Sequence, residues 1–417
     1  MLLRTLFTCA ALAPALAAQS APIQLQGQDA DDRFGESIAF VGDLDGDGLS
    51  ELAVGAPGKQ SSSTQTVGTV SLFSGANGRE LGVAFGALAG TGFGARIAPS
   101  RDLSGDGVPD LLVGAPDADR VVAIDGASFA AGNPAPLWSN DGEPNGQFGR
   151  ALDSIGDQTG DGVPDLAVGA PFGGGDIAGF GPGQVWLLSG ATGRSFGVLS
   201  APGADNGSFG WSLANVGDVN GDGRDDLAVG APLDDGVATA VGAVYLFSPA
   251  TDAPLTSWFG RRAGDDFGHA LERGPDVSGD GVASLFIGAP ASTIAPPTAG
   301  SVLWLELSNG QRLAQFSAPT VGGRFGWALA SDGAGQLAVG EPLAPASIES
   351  IGMVHTFDLR TASSSVVAGS QGEAEFGATL AWNPAADVSS SDVLAIGAPF
   401  FDVEFGSDEG QVDLYLN

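Results

Sequence analysis

The chain has 417 residues and a formal net charge of −33, from 49 acidic and 16 basic residues. So acidic a protein would be repelled by nucleic acid and by anionic lipid, and the composition therefore excludes both as expected partners. Hydrophobic residues make up 43% of the chain, enough for a sizeable core, and the 67 Gly and 25 Pro recur at fixed places, which indicates turns rather than disorder.

The first residues are typical of a secretory signal peptide. Arg4 supplies a short positive start, an apolar run follows, and the Ala-Leu-Ala at 15–17 is a small-x-small cleavage site. Residues 1–18 are therefore predicted to be removed, leaving a single domain over 19–417 that is secreted to the extracellular space or the periplasm. The single cysteine, Cys9, lies in the removed segment, so the mature chain would contain no disulfide. No later run is long and apolar enough to insert into a membrane.

One pattern then recurs seven times, at spacings of 51 to 61 residues. It comprises a Phe-Gly pair, an apolar run, an acidic Gly-rich loop or its remnant, a second apolar run, and a Gly-x-Pro turn. Repetition at such a period indicates one repeat architecture rather than several unrelated domains. The Phe residues of the seven pairs are Phe34, Phe93, Phe148, Phe209, Phe267, Phe325 and Phe376. The prolines of the seven turns are Pro57, Pro116, Pro171, Pro232, Pro290, Pro342 and Pro399.

Each repeat contains four short runs rich in Val, Leu, Phe and Trp, separated by turn residues, and such runs are typical of antiparallel strands. No window shows a convincing helical period. Seven repeats of four strands predict an all-β fold, a seven-bladed β-propeller with four-stranded antiparallel blades.

The two ends of the chain predict how the ring closes. A strand of the fourth type starts the chain at 23–26, and a strand of the third type ends it at 412–416. We therefore expect the N-terminal strand to complete the last blade. An open solenoid is the alternative, but it would need polar capping repeats at both ends, and none is visible in the sequence.

The acidic loops of the first five repeats, at 43–51, 102–110, 157–165, 218–226 and 276–284, place oxygen-bearing side chains at loop positions 1, 3, 5 and 9. Glycines at positions 4 and 6 allow the backbone to curl with positive φ. Calcium takes about six to eight oxygen ligands, and the carbonyl at position 7 can supply one of them. The predicted calcium ligands are Asp43, Asp45, Asp47, Leu49 and Glu51; Asp102, Ser104, Asp106, Val108 and Asp110; Asp157, Thr159, Asp161, Val163 and Asp165; Asp218, Asn220, Asp222, Arg224 and Asp226; and Asp276, Ser278, Asp280 and Val282.

The loops predict about four to five Ca²⁺ ions as the cofactor, bound with unequal strength. The first loop has four carboxylates, the next three have three each, and the fifth has two, with Ser284 at position 9. Fewer charges predict weaker binding. No tight site is expected in repeat six, where 330–337 is too short, or in repeat seven, where 383–392 has lost the spacing. These loops are not EF-hands, because Val54 stands at the twelfth position of the first loop and strands flank it.

At these residues the chain resembles the FG-GAP repeats of the integrin α-subunit N-terminal β-propeller, over essentially all of 21–417. The resemblance implies calcium-stabilised blades, with each calcium loop joining the first and second strands on one face of the disc. It also implies a partner-binding face opposite, formed by the loops after the Gly-x-Pro turns, for instance 58–67, 172–183 and 400–410. The sandwich domains and membrane helix of integrins have no counterpart in the sequence, so integrin-style signalling is not implied.

Residues outside the repeat frame are further candidates for recognition. Trp138, Phe180 and the Phe-Phe pair at 400–401 are aromatics that the repeat does not require. The only two histidines, His269 and His355, are too few for a typical catalytic zinc site. His269 occupies a position where other repeats have Trp, and this predicts a packing role.

These observations predict a secreted calcium-binding propeller that acts as a monomeric adhesion or ligand-binding module and is not an enzyme. Its expected partner is an extracellular protein or a glycan. The alternative is a secreted hydrolase or lyase that acts on polysaccharide at the central face of the propeller; a cleft with converging Arg, His or Tyr would favour it. A third hypothesis is an exported scaffold without a specific ligand. The fold alone does not decide between these functions.

Overall fold

The computed structural model describes residues 6–8 and 22–416, apart from 63–64, 176–180, 203–206, 236–239, 250, 252, 293–298, 320, 347–348, 384–391 and 403–407. Seven four-stranded antiparallel blades form a ring. The first strand of each blade contacts the first strands of both neighbouring blades, so these seven strands surround the axis. The predicted seven-bladed β-propeller is therefore confirmed.

The blades are numbered in chain order, and the strands of each run from the axis to the rim. Blades 1 to 3 are Ser37–Phe40, Leu52–Ala56, Thr69–Phe73 and Glu80–Phe85; Arg96–Pro99, Leu111–Ala115, Arg120–Ile124 and Pro136–Asp141; and Ala151–Ile155, Asp165–Ala170, Gln184–Leu188 and Ser195–Ser200. Blades 4 and 5 are Ser212–Gly217, Asp226–Ala231, Ala243–Phe247 and Pro254–Phe259; and Leu271–Gly274, Ser284–Ala289, Ser301–Glu306 and Arg312–Ser317. Blades 6 and 7 are Leu329–Ser331, Gln336–Glu341, Met353–Asp358 and Ser363–Ala368; and Thr379–Asn383, Val393–Ala398, Gln411–Leu416 and Ile23–Gln26.

A few elements lie outside this frame. Short strand pairs follow two of the Gly-x-Pro turns, and one strand from the predicted signal peptide pairs in parallel with the rim strand of blade 5. A 3₁₀ turn and one short α-helix lie in blade 2. None of the helices in the described part of the chain has the length and apolar character needed to span a bilayer. These elements are Gln60–Ser62 with Gln65–Thr66, Pro345–Ala346 with Glu349–Ser350, Leu6–Thr8, the 3₁₀ turn Pro116–Ala118 and the α-helix Gly126–Ala130.

The N-terminal strand closes the ring, as predicted. Ile23–Gln26 forms the rim of blade 7 and pairs antiparallel with Gln411–Leu416, with Ile23 opposite Leu414 and Gln26 opposite Gln411. Blade 7 is therefore built from both ends of the chain, and the ring is held by backbone hydrogen bonds.

The hydrophobic core is divided among the junctions between blades. Each pair of adjacent blades, including blades 7 and 1, encloses its own cluster of buried apolar residues. The Phe of each Phe-Gly pair packs between its own blade and the preceding one, and all seven are at most 6% exposed. Because burying one such side chain contributes about 1.5–3 kcal/mol, the repeated Phe is a main source of cohesion between blades.

The two glycine motifs join the blades directly. Within each blade the Phe-Gly glycine donates its N–H to the carbonyl of the Gly-x-Pro glycine. That second glycine lies against the Phe-Gly carbonyl of the next blade: a Cβ on Gly55 would stand 2.0 Å from the oxygen of Gly94, and one on Gly397 would stand 2.4 Å from the oxygen of Gly35. Only glycine permits this approach. The second of these contacts joins blade 7 to blade 1.

Candidate functional site

The strand order separates the repeat motifs onto two faces of the disc. The first strand of a blade runs from the Phe-Gly pair to the acidic loop, and the second strand returns from that loop to the Gly-x-Pro turn. The acidic loops therefore share one face, called here the loop face. The Phe-Gly pairs and the segments after the Gly-x-Pro turns share the opposite face, called here the cup face.

The Asp at position 1 organises each acidic loop. In the first loop Asp43 accepts hydrogen bonds from the N–H of Gly46 at 2.7 Å and from the N–H of Gly48 at 3.0 Å. Both glycines have positive φ, +82° and +90°, which turns their N–H groups toward the carboxylate. Equivalent pairs of bonds are made by Asp102, Asp157, Asp218 and Asp276. The five loops therefore have one geometry, as their shared spacing predicts.

In the second to fifth loops, the side chain at position 3 bonds to a neighbouring carboxylate of the same loop. Ser104 bonds to Asp102 at 3.2 Å, and the Asn220 amide bonds to Asp222 at 3.0 Å. In each loop the carboxylate at position 5 also accepts the N–H of position 7. In the first loop the structure brings together the side chains predicted at positions 1, 3 and 5. In the other loops the side chain at position 3 bonds to the carboxylate at position 1 or, in the fourth loop, at position 5.

The carboxylate at position 9 is buried and fixes the start of the second strand. Asp110 is fully buried and accepts N–H groups from Leu103 and Ser104 on one oxygen and from Gly126 on the other. Burial raises the pKa of Asp110, although these three donors oppose the shift. In blade 4 burial raises the pKa of Asp226 to about 6. A cation beside such a carboxylate would favour its charged form.

The first loop shows the closest grouping of acidic residues. Asp43, Asp45, Asp47 and Glu51 each offer one oxygen, and these four oxygens lie within 4.8 Å of one another. Glu51 is fully buried, and its Oε1 has no hydrogen-bond partner among the described residues. Burial, followed by repulsion from the three Asp residues, raises the pKa of Glu51 to about 7. Four converging acidic groups with one unsatisfied buried oxygen fit a divalent cation.

A second candidate site lies on the axis at the cup face. A cavity of about 330 Å³ is lined by the starts of the first strands of all seven blades. The Arg150 guanidinium lies 4.3 Å from the centre of the Trp211 ring, and the rings of His269 and Trp327 are 4.2 Å apart. Arg96 also lines the cavity and donates from Nε to the carbonyl of Arg150 at 3.0 Å. We call this cavity and its rim the axial cup.

Charge in the axial cup is mixed. Glu36 lies close to Arg96, and at the rim Asp266 and Glu375 face Arg324, whose guanidinium is 5.0 Å from the Trp327 ring. Burial lowers the pKa of His269 to about 4, so its ring is neutral at physiological pH. His269 packs against tryptophan as predicted from the sequence, and it also faces a cavity.

Sequence reasoning did not find the axial cup. The residue after each Phe-Gly pair is the signal that could have located it, because that position repeats and points to the start of the first strand. It holds a different side chain in most repeats, however, and a search for a repeated residue type passes over it. The seven residues are Glu36, Ala95, Arg150, Trp211, His269, Trp327 and Ala378. Six of them line the cavity, and in blade 2 the next residue, Arg96, does so in place of Ala95.

The loops predicted for the recognition face lie at the cup face, but each extends outside the described residues, and Phe180 lies among those not described. Trp138 is held by packing: its Nε1 donates to the carbonyl of Gly190 at 2.7 Å, and its ring packs against the cluster between blades 2 and 3. Phe401 packs against the cluster between blades 6 and 7.

The last two repeats were predicted to lack a tight calcium site. In repeat six the turn at 332–335 is short, and most of the corresponding segment of repeat seven, 383–392, lies outside the described residues.

Comparison with known families supports the repeat assignment. The family description "FG-GAP repeat" matches residues 34–73, 93–133, 148–188 and 209–247. The chain is an FG-GAP repeat protein. The four matched FG-GAP repeats are those whose loops carry at least three carboxylates, so the match follows the acidic loops as well as the strands.

Curated relatives of this FG-GAP protein are integrin α subunits. Human integrin α-IIb is 36% identical over 220 residues, which is 48% of this chain and 20% of the relative. Integrin α-V of Gallus gallus is 33% identical over 231 residues, 51% of this chain and 21% of the relative. Human integrin α-7 is 37% identical over 161 residues, 35% of this chain and 13% of the relative. The FG-GAP protein thus matches about a fifth or less of the length of each of these relatives.

Proposed function

We propose that this FG-GAP protein is a secreted, calcium-binding adhesion or ligand-binding module. Calcium ions occupy the acidic loops of the loop face, and an extracellular protein or a glycan binds at the cup face. The chain acts as a monomer, and residues 1–18 direct its export. The similarity to integrin α propellers and the separation of the two faces support this assignment.

The axial cup is the observation that carries the proposal. The chain has 16 basic residues against 49 acidic ones, yet Arg96, Arg150 and Arg324 meet at this one opening beside Trp211 and Trp327. Guanidinium groups held against aromatic rings are suited to carboxylate or sulfate groups and to flat apolar surfaces. Glu36 already faces Arg96, and Asp266 and Glu375 face Arg324, which leaves Arg150 beside Trp211 as the main cationic contact for a ligand. The ligand we expect therefore carries an anionic group that pairs with Arg150, on either a glycan or an acidic protein segment.

Calcium has a structural role in this proposal. When bound, it would supply the positive charge that the converging carboxylates of each loop lack. Asp43, Asp45, Asp47 and Glu51 would hold it in the first loop, and the corresponding residues would hold it in the others. The chain's own amides orient these carboxylates, as the bonds from Gly46 and Gly48 to Asp43 show. Calcium thereby ties the first and second strands of a blade together at the loop face.

The test is a binding screen followed by variants of the cup. The purified chain is screened in millimolar Ca²⁺ against acidic glycans and extracellular matrix proteins, and the best ligand is measured by surface plasmon resonance. Arg150→Ala should weaken binding about tenfold or more, since charge-assisted contacts contribute about 1.5–3 kcal/mol. Arg79→Ala is the control, because Arg79 is exposed in the turn between the third and fourth strands, at the loop face.

Equal affinities of Arg150→Ala and the wild type would place the ligand elsewhere on the chain. Equal losses in Arg150→Ala and Arg79→Ala would indicate non-specific charge attraction, and raising the salt concentration would then abolish binding of both.

One observation keeps the polysaccharide hydrolase or lyase as a second candidate. His269, Arg96, Arg150 and Glu36 share the axial cup, which is the convergence of Arg and His that an active site would require. The similarity to integrin α subunits does not favour this function. Incubating the chain with acidic polysaccharides and measuring new reducing ends or unsaturated uronic acids decides the matter, with His269→Ala as the control for contaminating activity.

A further inference from the structure

The fifth acidic loop lacks the carboxylate at position 9, and the sheet register shows where a carboxylate has appeared instead. In blade 4, Leu227 pairs with Phe247, so Asp226 at position 9 stands opposite Ser248. In blade 5, Ser284 at position 9 pairs directly with Glu306 at the end of the third strand. The carboxylate and the hydroxyl have exchanged strands between these two blades.

Glu306 lies beside the acidic residues of the fifth loop. The Ser308 hydroxyl is within hydrogen-bonding reach of both Asp280 and Glu306 and can donate to either one, so these two carboxylates lie close together. Asp276 and Asp280 also lie close enough to Glu306 to interact with it electrostatically, so the three acidic groups form one cluster.

One oxygen of Glu306 has no partner. The Glu306 side chain is almost fully buried, in a residue 3% exposed, and its Oε1 has no hydrogen-bond donor among the described residues. The nearest polar group across the sheet, the Ser284 hydroxyl, is already engaged: it donates to the carbonyl of Pro275 at 2.6 Å and accepts from Trp304 Nε1 at 2.8 Å. A buried carboxylate oxygen without a donor is costly unless a cation or a proton satisfies it.

We propose that Glu306 is a calcium ligand of the fifth loop, where it replaces the missing position-9 carboxylate and joins Asp276, Ser278 and Asp280. Directly facing residues in a sheet have Cβ atoms about 4.5–5.5 Å apart, and the longer Glu side chain spans that gap. The inference rests on the calcium-binding part of the proposed function. In the other four loops the carboxylate at position 9 comes from the start of the second strand or the residue just before it, whereas in blade 5 the corresponding carboxylate, Glu306, comes from the end of the third strand.

This assignment changes the expected strength of the site. The loop alone has two carboxylates and would be the weakest of the five. With Glu306 it has three, the same number as the second, third and fourth loops. Each chain is then expected to bind five calcium ions with similar affinities, and not four ions tightly and a fifth weakly.

The experiment counts bound calcium in the full chain. Wild type, Glu306→Gln, the double variant Glu306→Gln/Ser284→Asp and the control Glu80→Gln, on the exposed rim of blade 1, are equilibrated in millimolar free Ca²⁺ and analysed by mass spectrometry of the metal. Titration calorimetry gives the affinities. Glu306→Gln should lose one ion, or bind it at least tenfold more weakly, and the double variant should recover it.

Thermal unfolding separates a ligand from a merely structural side chain. If Glu306 is a ligand, Glu306→Gln lowers the midpoint temperature of unfolding in Ca²⁺. In EDTA the variant leaves that temperature unchanged or raises it, because the neutral amide removes a negative charge that the other carboxylates of the metal-free loop repel. Unchanged ion count and affinity, or an equal loss of stability in both buffers, would overturn the inference while leaving the proposed function intact. A wild-type chain that binds no calcium would overturn both.

Discussion

The glycine of the Gly-x-Pro turn sets how closely two blades approach. A Cβ added to Gly169 would lie 2.0 Å from the carbonyl oxygen of Gly210 in the next blade. The obstacle is backbone rather than the end of a flexible side chain, so the strand itself would have to move. The repeated glycine is therefore explained by the packing of blades, in addition to the turn that it precedes.

Gly169→Ala should destabilise the protein by about 1–3 kcal/mol, the usual cost of inserting a methyl group where a packed structure has no room. Gly197→Ala is the matched control in the same blade, because its new Cβ would first meet a side-chain atom, Cδ1 of Leu187 at 3.3 Å, and not the backbone. Chemical denaturation in saturating calcium measures both. Equal stability of the two variants would show that the glycine contact does not limit the approach of the blades.

Glu272 predicts a pH dependence of stability. It lies in the first strand of blade 5 and accepts the N–H of Ser331 at 3.2 Å. Burial, reinforced by the charge of Asp153, raises the pKa of Glu272 to about 8. Because the pKa is higher in the folded state than in the unfolded state, the folded protein holds the proton more tightly. Protonated Glu272 therefore makes its full contribution to the free energy of unfolding below about pH 4.5. That contribution decreases as the pH rises and is lost near pH 8.

The corresponding variant is Glu272→Gln, which keeps the shape and removes the charge. It should make the free energy of unfolding less dependent on pH between 5 and 8, by up to about 1.4 kcal/mol per pH unit relative to wild type. Urea titrations of both proteins at several pH values, in the same calcium concentration, give the difference. Parallel curves for wild type and variant would mean that Glu272 titrates normally.

The acidic loops could be predicted residue by residue, whereas Glu306 and the axial cup could not. The predicted loop ligands follow from local spacing, since positions 1, 3, 5 and 9 belong to one loop of the chain. Glu306 faces Ser284 only through the register of two strands, and 22 positions separate them in the sequence. The cup depends on seven first strands meeting at the axis, which no single repeat reveals.

At the scale of elements, the strands were predictable because each has a turn at both ends and an apolar run between. The short strands outside the seven blades were not predictable, because a strand of two or three residues is too short to show alternation of apolar and polar residues. The helix Gly126–Ala130 had a usable signal: Asp125 caps it by accepting the N–H of Ser128 at 2.8 Å, and Gly132 follows its end. A five-residue helix is too short, however, to show a helical period.

The closing strand provides a prediction at this scale. Leu25 is the buried residue of Ile23–Gln26 and packs in the cluster between blades 7 and 1. Leu25→Ala should cost about 2–4 kcal/mol, as for other large buried aliphatic residues. Ile23→Ala in the same strand is the control, because Ile23 is 41% exposed and should cost little. Calorimetric unfolding compares them; a neutral Leu25→Ala would indicate that the ring holds without this strand's packing.

At the scale of the whole molecule, the net charge of −33 and the proposed calcium loops together predict that calcium contributes strongly to stability. Transfer from EDTA to millimolar Ca²⁺ should raise the unfolding midpoint by about 10 °C or more, because each ion held a hundredfold above its dissociation constant adds about 2.7 kcal/mol. Sodium chloride at matched ionic strength is the control for simple screening. A rise of the same size in sodium chloride would mean that calcium acts through charge neutralisation alone and not through the loops.

Blade 7 takes strands from both ends of the chain, and this has a consequence for the order of folding. During synthesis, blades 1 to 6 can each assemble from contiguous chain soon after it emerges. The strand Ile23–Gln26 is made before every other strand of the ring, and it must wait for its partner Gln411–Leu416, the last strand of the ring to be made. Until then the nascent protein has two open sheet edges that can pair with other chains. Ring completion is thus a late event, and losing a single C-terminal strand would leave an unfinished, aggregation-prone arc instead of a slightly smaller propeller.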